Sequence, residues 1–106
     1  MLRDRHHLCD VLREARSLLA RSDDFAWSSW DDAESAVREV DGLITGIESG
    51  TLPIRGHIEV LFLPTGPIQE VSLSSGWGDE FLALAARCDA AIAAVYQTPG
   101  AAPGPQ

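Results

Sequence analysis

Apolar residues recur every three or four positions in the first half of the chain, which is the spacing of an amphipathic helix. The first such stretch runs from Arg3 to about Arg21 and has the apolar positions Leu8, Leu12, Ala15 and Leu19. The second stretch has the most regular spacing, at Trp30, Ala33, Val37, Val40, Ile44 and Ile47. Ser28 or Ser29 can cap the second helix, and Gly50 is a typical stop signal behind it. The first half therefore predicts two helices, with Trp30 in the core.

The middle of the chain alternates in the manner of a β-strand with one buried face. Ile58, Val60 and Phe62 lie on one side of the stretch 57–63, and alternation resumes over residues 68–74. The segment between the two stretches contains proline and glycine and supplies a turn. We therefore predict a β-hairpin here. In an alternative interpretation, residues 58–62 form a short helix.

The last third of the chain carries another helical stripe of apolar residues. Its positions are Phe81, Leu84, Cys88, Ile92 and Val95. Asp79 is a plausible N-cap, and we expect the helix to end near Tyr96 or Gln97. The opposite side is rich in alanine and has few charges beyond Arg87 and Asp89. A helix so poor in polar surface is expected to lie centrally or to pair with another chain.

Together these elements predict one α+β domain, with two N-terminal helices, a β-hairpin and a C-terminal helix within residues 1–97. The C-terminal helix is expected to pack against the hairpin and both other helices. A chain of 106 residues is long enough for one small core. Residues 98–106 hold three prolines and two glycines and are predicted to be a disordered tail.

The net charge of the chain argues against polyanionic partners. The chain has 16 acidic and 8 basic residues and a formal net charge of −8, so it repels nucleic acids and anionic membranes. No apolar run approaches the roughly 20 residues of a membrane helix. Residues 1–10 lack the uninterrupted apolar stretch of a secretory signal. We therefore predict a cytoplasmic protein that binds neither nucleic acid nor membrane.

Metal ligands and paired thiols are not indicated. His6, His7 and Cys9 have suitable ligand atoms, but adjacent positions on a helix point about 100° apart, and no second cluster completes a tetrahedral set. Cys9 and Cys88 are far apart in sequence and are expected to be reduced thiols in a cytoplasmic protein. We predict no metal site and no disulfide.

Catalytic residues are equally weakly indicated. Ser74 or Ser75 could combine with His57 and Asp79 as a triad, but such a set occurs by chance in many chains of this length. Neither serine lies in a strand–turn–helix nucleophile motif. We predict that the protein is not an enzyme and uses no cofactor.

The distribution of charge along the chain is more informative. Residues 3–21 contain five arginines and three acids, a net charge of +2, whereas residues 23–48 contain eight acids and one arginine, a net charge of −7. Acids beside aromatic residues form a credible surface for a basic protein. The predicted partner-binding residues are Asp23, Asp24, Trp27, Asp31, Asp32, Glu34, Glu70 and Trp77. In the alternative interpretation, these acids are a solvated helix face, and the aromatic residues pack on the core.

The segment Phe62-Leu63-Pro64-Thr65-Gly66-Pro67-Ile68-Gln69-Glu70-Val71 resembles a loop of small uncharacterised bacterial domains. In those domains, two helices precede a Phe-Gly-Gly-Met-Gly-Ser-(apolar)-Asn-Asp-(apolar) loop and a final helix. The positions that match are Phe62, Gly66, Ile68, the polar pair Gln69-Glu70, and Val71. Leu63-Pro64 replaces the Gly-Gly of that pattern, and Pro67 replaces its serine.

In size and acidity the chain also resembles the immunity proteins that bacteria encode beside secreted toxins. That resemblance implies an inhibitor that blocks a basic toxin by binding it rather than by reacting with it. One alternative is a small enzyme or ligand-binding domain, with a pocket between the hairpin and the C-terminal helix that uses Glu70, His57 or Trp77. Another is an adaptor or structural subunit. Either this adaptor or a homodimer would associate through the C-terminal helix.

Overall fold

The computed structural model describes residues 2–22, 25, 30–63 and 66–96. Five helices occur in these ranges: α1 (Leu2–Ala20), α2 (Ala33–Glu48), α3 (Arg55–Leu61), α4 (Pro67–Ser75) and α5 (Gly78–Val95). The described ranges contain no strand, so the predicted α+β class and its β-hairpin are wrong. This part of the chain is all-helical.

The first predicted strand is α3, as the alternative interpretation proposed. Ile58, Leu61 and Phe62 are buried, and their spacing of three and four residues is helical. Val60, which the strand pattern placed on the buried face, is 50% exposed. The alternation was misleading because four consecutive apolar residues, from Val60 to Leu63, satisfy a period of two as readily as a period of 3.6.

The second predicted strand is α4. Ile68, Val71 and Ser72 form its buried face, again at helical spacing. Pro67 occupies the first turn, where a missing N–H costs nothing. Gly76 ends the helix with a positive φ of 84°, a common C-terminal stop. Proline at the start and glycine at the end are therefore the signals that identify this segment as a helix.

The other three helices lie close to their predicted ranges, with two differences at their starts. α2 begins at Ala33, later than expected, because Asp32 is its N-cap and its side chain accepts a hydrogen bond from the Ser35 N–H at 2.9 Å. In α5, Asp79 lies inside the first turn rather than capping it, and the N-cap residue is Trp77, whose side chain makes no capping hydrogen bond. The predicted stop at Gly50 is confirmed by its φ of 90°, just beyond the end of α2.

The central helix is α1, not the C-terminal helix as expected from the sequence. α1 packs against α2, α5 and α4, whereas α5 packs mainly against α1 and α4, and α3 packs on α4. Buried side chains on two sides of α1 support this role: Leu8, Cys9, Val11, Leu12, Ala15 and Leu19. Trp30 is also buried, which confirms its predicted place in the core.

Residues 97–106 lie outside the described ranges, and the disordered tail stays a prediction there. The assignment of residues 1–97 to a single domain likewise stays a prediction. No helix in the described ranges is long and apolar enough to cross a membrane.

Two glycines should respond oppositely to alanine. A Cβ on Gly66 would lie 2.5 Å from the Val60 carbonyl oxygen, a backbone atom that cannot move aside, whereas a Cβ on Gly42 would meet nothing within 4 Å. We expect Gly66→Ala to lower the free energy of unfolding by about 1–3 kcal/mol. Gly42→Ala, inside α2, should raise it by about 0.5–1 kcal/mol. Urea unfolding measures both, and equal effects would contradict the close approach at Gly66.

Candidate functional site

Arginines of α1 form ion pairs with acids of α2. Arg13 pairs with Glu48, and the Arg16 Nε donates to Asp41 Oδ1 at 2.6 Å. The earlier residue of α1 meets the later residue of α2, so the two helices run antiparallel. Some of the positive charge of residues 3–21 and of the negative charge of residues 23–48 is therefore paired within the molecule and is not available to a partner.

A second ion pair fixes α5 against α1. The Arg87 guanidinium donates to both carboxylate oxygens of Glu14, at 2.8 and 2.6 Å. This hydrogen bonding holds the pKa of Glu14 below its usual range and raises that of Arg87. Nearer the end of α1, the buried Trp77 Nε1–H donates to Ser22 Oγ at 2.9 Å. α5 is therefore also antiparallel to α1.

These two antiparallel arrangements bring the starts of α2 and α5 to one end of the molecule. With a rise of about 1.5 Å per residue, the Arg16–Asp41 pair places Ala33 about 6 Å beyond Ala20, the last residue of α1, and the Arg13–Glu48 pair places it about 12 Å beyond. The Glu14–Arg87 pair places Gly78 about 4–5 Å beyond Ala20. The first turns of two helices that are far apart in sequence therefore both lie beyond this end of α1.

Five acidic residues lie at this end of the molecule and are all exposed: Asp31, Asp32, Glu34, Asp79 and Glu80. We call this set the acidic end. Asp32 also has a structural role, because its hydrogen bonds from Ser35 cap α2 and lower its pKa. Glu34 is 3.7 Å from Arg38, an exposed and therefore weak pair. Arg21, just beyond α1, is the basic residue that follows the helix at this end.

The predicted partner-binding residues are only partly brought together. Asp31, Asp32 and Glu34 belong to the acidic end. Glu70 lies half-buried in the first turn of α4, and Trp77 is 6% exposed, so its ring offers little surface to a partner. Asp23, Asp24 and Trp27 lie outside the described residues. Sequence reasoning did not assign the two acids at the start of α5 to this surface, because only the antiparallel packing of α2 and α5 on α1 brings the starts of both helices to one end of the molecule.

The alternative of a catalytic or ligand pocket that uses Glu70, His57 and Trp77 gains no support from their contacts. No hydrogen bond or ion pair joins any two of these three side chains. Ser74 Oγ donates to the Glu70 carbonyl oxygen in its own helix, at 3.1 Å, and does not contact His57. Within the described ranges, no group of three or more His, Cys, Asp or Glu side chains could hold a metal ion.

Both cysteines are buried free thiols. Burial raises the pKa of Cys9, and it raises the pKa of Cys88 to about 12. Because the thiolate is the reactive form, both side chains act as small apolar groups of the core.

We expect neither thiol to react with Ellman's reagent in the folded protein at pH 8, because each is buried and held in the protonated form. Adding denaturant at the same pH should release two equivalents of reactive thiol, one from each cysteine. Absorbance measures both steps. A thiol that reacts in the native protein as fast as free cysteine would contradict the burial described here.

Comparison of the chain with protein-family models, curated proteins and solved structures finds no match. The resemblance to small bacterial domains and to immunity proteins therefore stays a prediction.

Proposed function

We propose that this chain is a non-enzymatic, cytoplasmic protein-binding domain whose partner is a basic protein. Its closest functional analogy is an immunity-type inhibitor that covers a toxin. The observation that carries the proposal is the acidic end, where the exposed first turns of α2 and α5 lie at the same end of the molecule, on either side of α1. Acids in a first turn stabilise their own helix, and two such turns at one end of the molecule add to a negative field there.

The ion pairs within the molecule lie mostly away from the acidic end. In the described ranges, five of the eight arginines form ion pairs with acids: Arg13, Arg16, Arg38, Arg55 and Arg87. Four of those pairs lie outside the acidic end, so they neutralise acids elsewhere. Four acids of the acidic end, Asp31, Asp32, Asp79 and Glu80, form no ion pair with an arginine of the described ranges. Such a field speeds association with a basic surface and weakens as salt is added.

Self-association through α5 is a second candidate function. Its outer face is exposed and rich in alanine, with Asp89 as a charge among these residues: Leu82, Ala83, Ala86, Ala90 and Ala93. Leu82 is 65% exposed and is the large apolar side chain of this face. Small side chains on either side of Leu82 would let a second α5 approach closely.

The binding proposal is tested by neutralising three acids of the acidic end in a tagged domain. Asp31→Asn, Glu34→Gln and Asp79→Asn leave the Asp32 cap intact and change the formal net charge from −8 to −5. In a pull-down from lysate of the source organism, mass spectrometry should identify a basic protein that is retained at low salt. We expect its measured affinity for the triple variant to fall by at least about tenfold, or about 1.4 kcal/mol.

The matched control removes the same charge elsewhere. Asp10→Asn, Glu48→Gln and Glu59→Gln alter acids that are already paired with arginines. This control should keep nearly full affinity for the purified partner. If both triple variants weaken binding equally, only net charge matters. If neither weakens binding, the interface lies elsewhere on the molecule.

Self-association is tested by light scattering over a dilution series. The wild-type mass should fall towards the 11.4 kDa of one chain on dilution. Leu82→Glu should remain monomeric throughout, because it places a charge in the apolar interface. Ile54→Glu, at an exposed apolar residue outside α5, should dimerise like the wild type. A monomeric wild-type protein at the highest concentration would contradict the proposal.

A further inference from the structure

A groove of about 450 Å³ lies on the surface between the packed helices α1 and α5. Its lining residues have the spacing i, i+3, i+4 and i+7 on each side: Glu14, Ser17 and Leu18 from α1 with Arg21 just beyond it, and Glu80, Ala83, Leu84 and Arg87 from α5. The wall is largely apolar along its length and carries one acid and one base from each helix. A groove of this size accommodates a small molecule.

The two sets of lining residues share one sequence pattern. Residues 14–21 and residues 80–87 both read Glu-x-x-(Ser/Ala)-Leu-x-Ala-Arg. Because the helices are antiparallel, the pattern places Glu14 opposite Arg87 at one end of the groove and Arg21 opposite Glu80 at the other. The groove is thus pseudo-symmetric in its chemistry.

The two ends differ in one respect. Glu14 and Arg87 form a bidentate ion pair that closes their end of the groove. In the described part of the chain, no ion pair joins Arg21 to Glu80, and both side chains are exposed. One end therefore presents a guanidinium and a carboxylate that face a common apolar floor and remain available to a ligand.

A smaller cavity of about 280 Å³ continues the groove at its open end. Its lining includes Leu18 and Arg21, which it shares with the groove, and adds Ser22, Ser75 and Trp77. The Ser75 hydroxyl oxygen is buried and has no hydrogen-bond partner in the structure. A buried hydroxyl without a partner is costly, and a ligand that accepts its hydrogen bond would remove that cost.

We propose that the open end of this groove binds a free α-amino acid with an apolar side chain. Its carboxylate pairs with Arg21 and, once the Ser75 side chain rotates towards the cavity, accepts a hydrogen bond from Ser75 Oγ. Its ammonium group pairs with Glu80. Its side chain lies along the apolar floor formed by Leu18 and Leu84. This site goes beyond the proposed protein-binding function and does not depend on it.

The charges favour a zwitterion over a simple ion. An anion would meet Arg21 but would be repelled by Glu80 and by the net charge of −8. A cation would meet Glu80 but would face the guanidinium of Arg21. A zwitterion has no net charge, so the net charge of the protein does not repel it at long range. It can pair with Arg21 and Glu80 at once.

The ligand is tested by titrating the ¹⁵N-labelled full chain with L-leucine and with L-phenylalanine. The reporter is the Trp77 indole N–H cross-peak, assigned by its loss in Trp77→Phe. We expect a saturable shift by about 10 mM, well above a millimolar dissociation constant. N-acetyl-L-leucine, which lacks the ammonium group, and L-leucinamide, which lacks the carboxylate, should each bind at least about tenfold more weakly.

Two exposed substitutions with matched controls locate the site. Arg21→Gln and Glu80→Gln should each weaken L-leucine binding by at least about tenfold, since each removes one charged contact. Arg38→Gln and Asp89→Asn, which change the same charges outside the groove, should bind L-leucine like the wild type.

Three outcomes would overturn the amino-acid site. These are the absence of a Trp77 shift with either amino acid, binding of N-acetyl-L-leucine as tight as that of L-leucine, and unchanged binding by both Arg21→Gln and Glu80→Gln. The acid substitutions that test the protein partner leave Glu80 and Arg21 intact. Loss of one function is therefore distinguishable from loss of the other.

Discussion

The burial of α1 on two sides is the constraint on which the rest of the structure depends. α1 packs against α2 and α5, while α3 is joined to the bundle through α4. Leu8, Leu12 and Leu19 are fully buried, and each fully buried leucine contributes about 1.5–3 kcal/mol relative to an exposed one. Because α2 and α5 both need α1 to cover their apolar stripes, this helix also determines their direction and register.

The direction of the helices then determines the electrostatics. Both neighbours of α1 run antiparallel to it, so the positive ends of their helix dipoles, and the acids in their first turns, lie at the same end of the molecule. Each acid stabilises its own helix, but repulsion among acids at this end opposes this gain. We propose a basic protein as the partner of this surface, and a zwitterion as the ligand of the groove beside it, which has one open pair of charges.

The sequence predicted α1, α2 and α5 because their stripes are long and only a helix satisfies them. It did not distinguish strand from helix between residues 57 and 74, because short apolar runs fit both periods. Pro67 and Gly76 are typical start and stop residues of a helix there, yet a proline at this position also fits a hairpin turn. The acids at the start of α2 could be predicted as a surface, whereas those at the start of α5 could not, since no local pattern relates residues 31 and 79.

The sequence by itself determined the helical stripes, the stop signals, the burial of Trp30 and the excess of acid in the second segment, because each is a property of neighbouring residues. Tertiary structure alone decided that α1 is central and that Arg13 and Arg16 neutralise acids of α2. It also decided that residues 14–21 and 80–87 face each other across a groove. These features depend on the antiparallel packing of helices far apart in the chain, which spacing along a single helix does not specify.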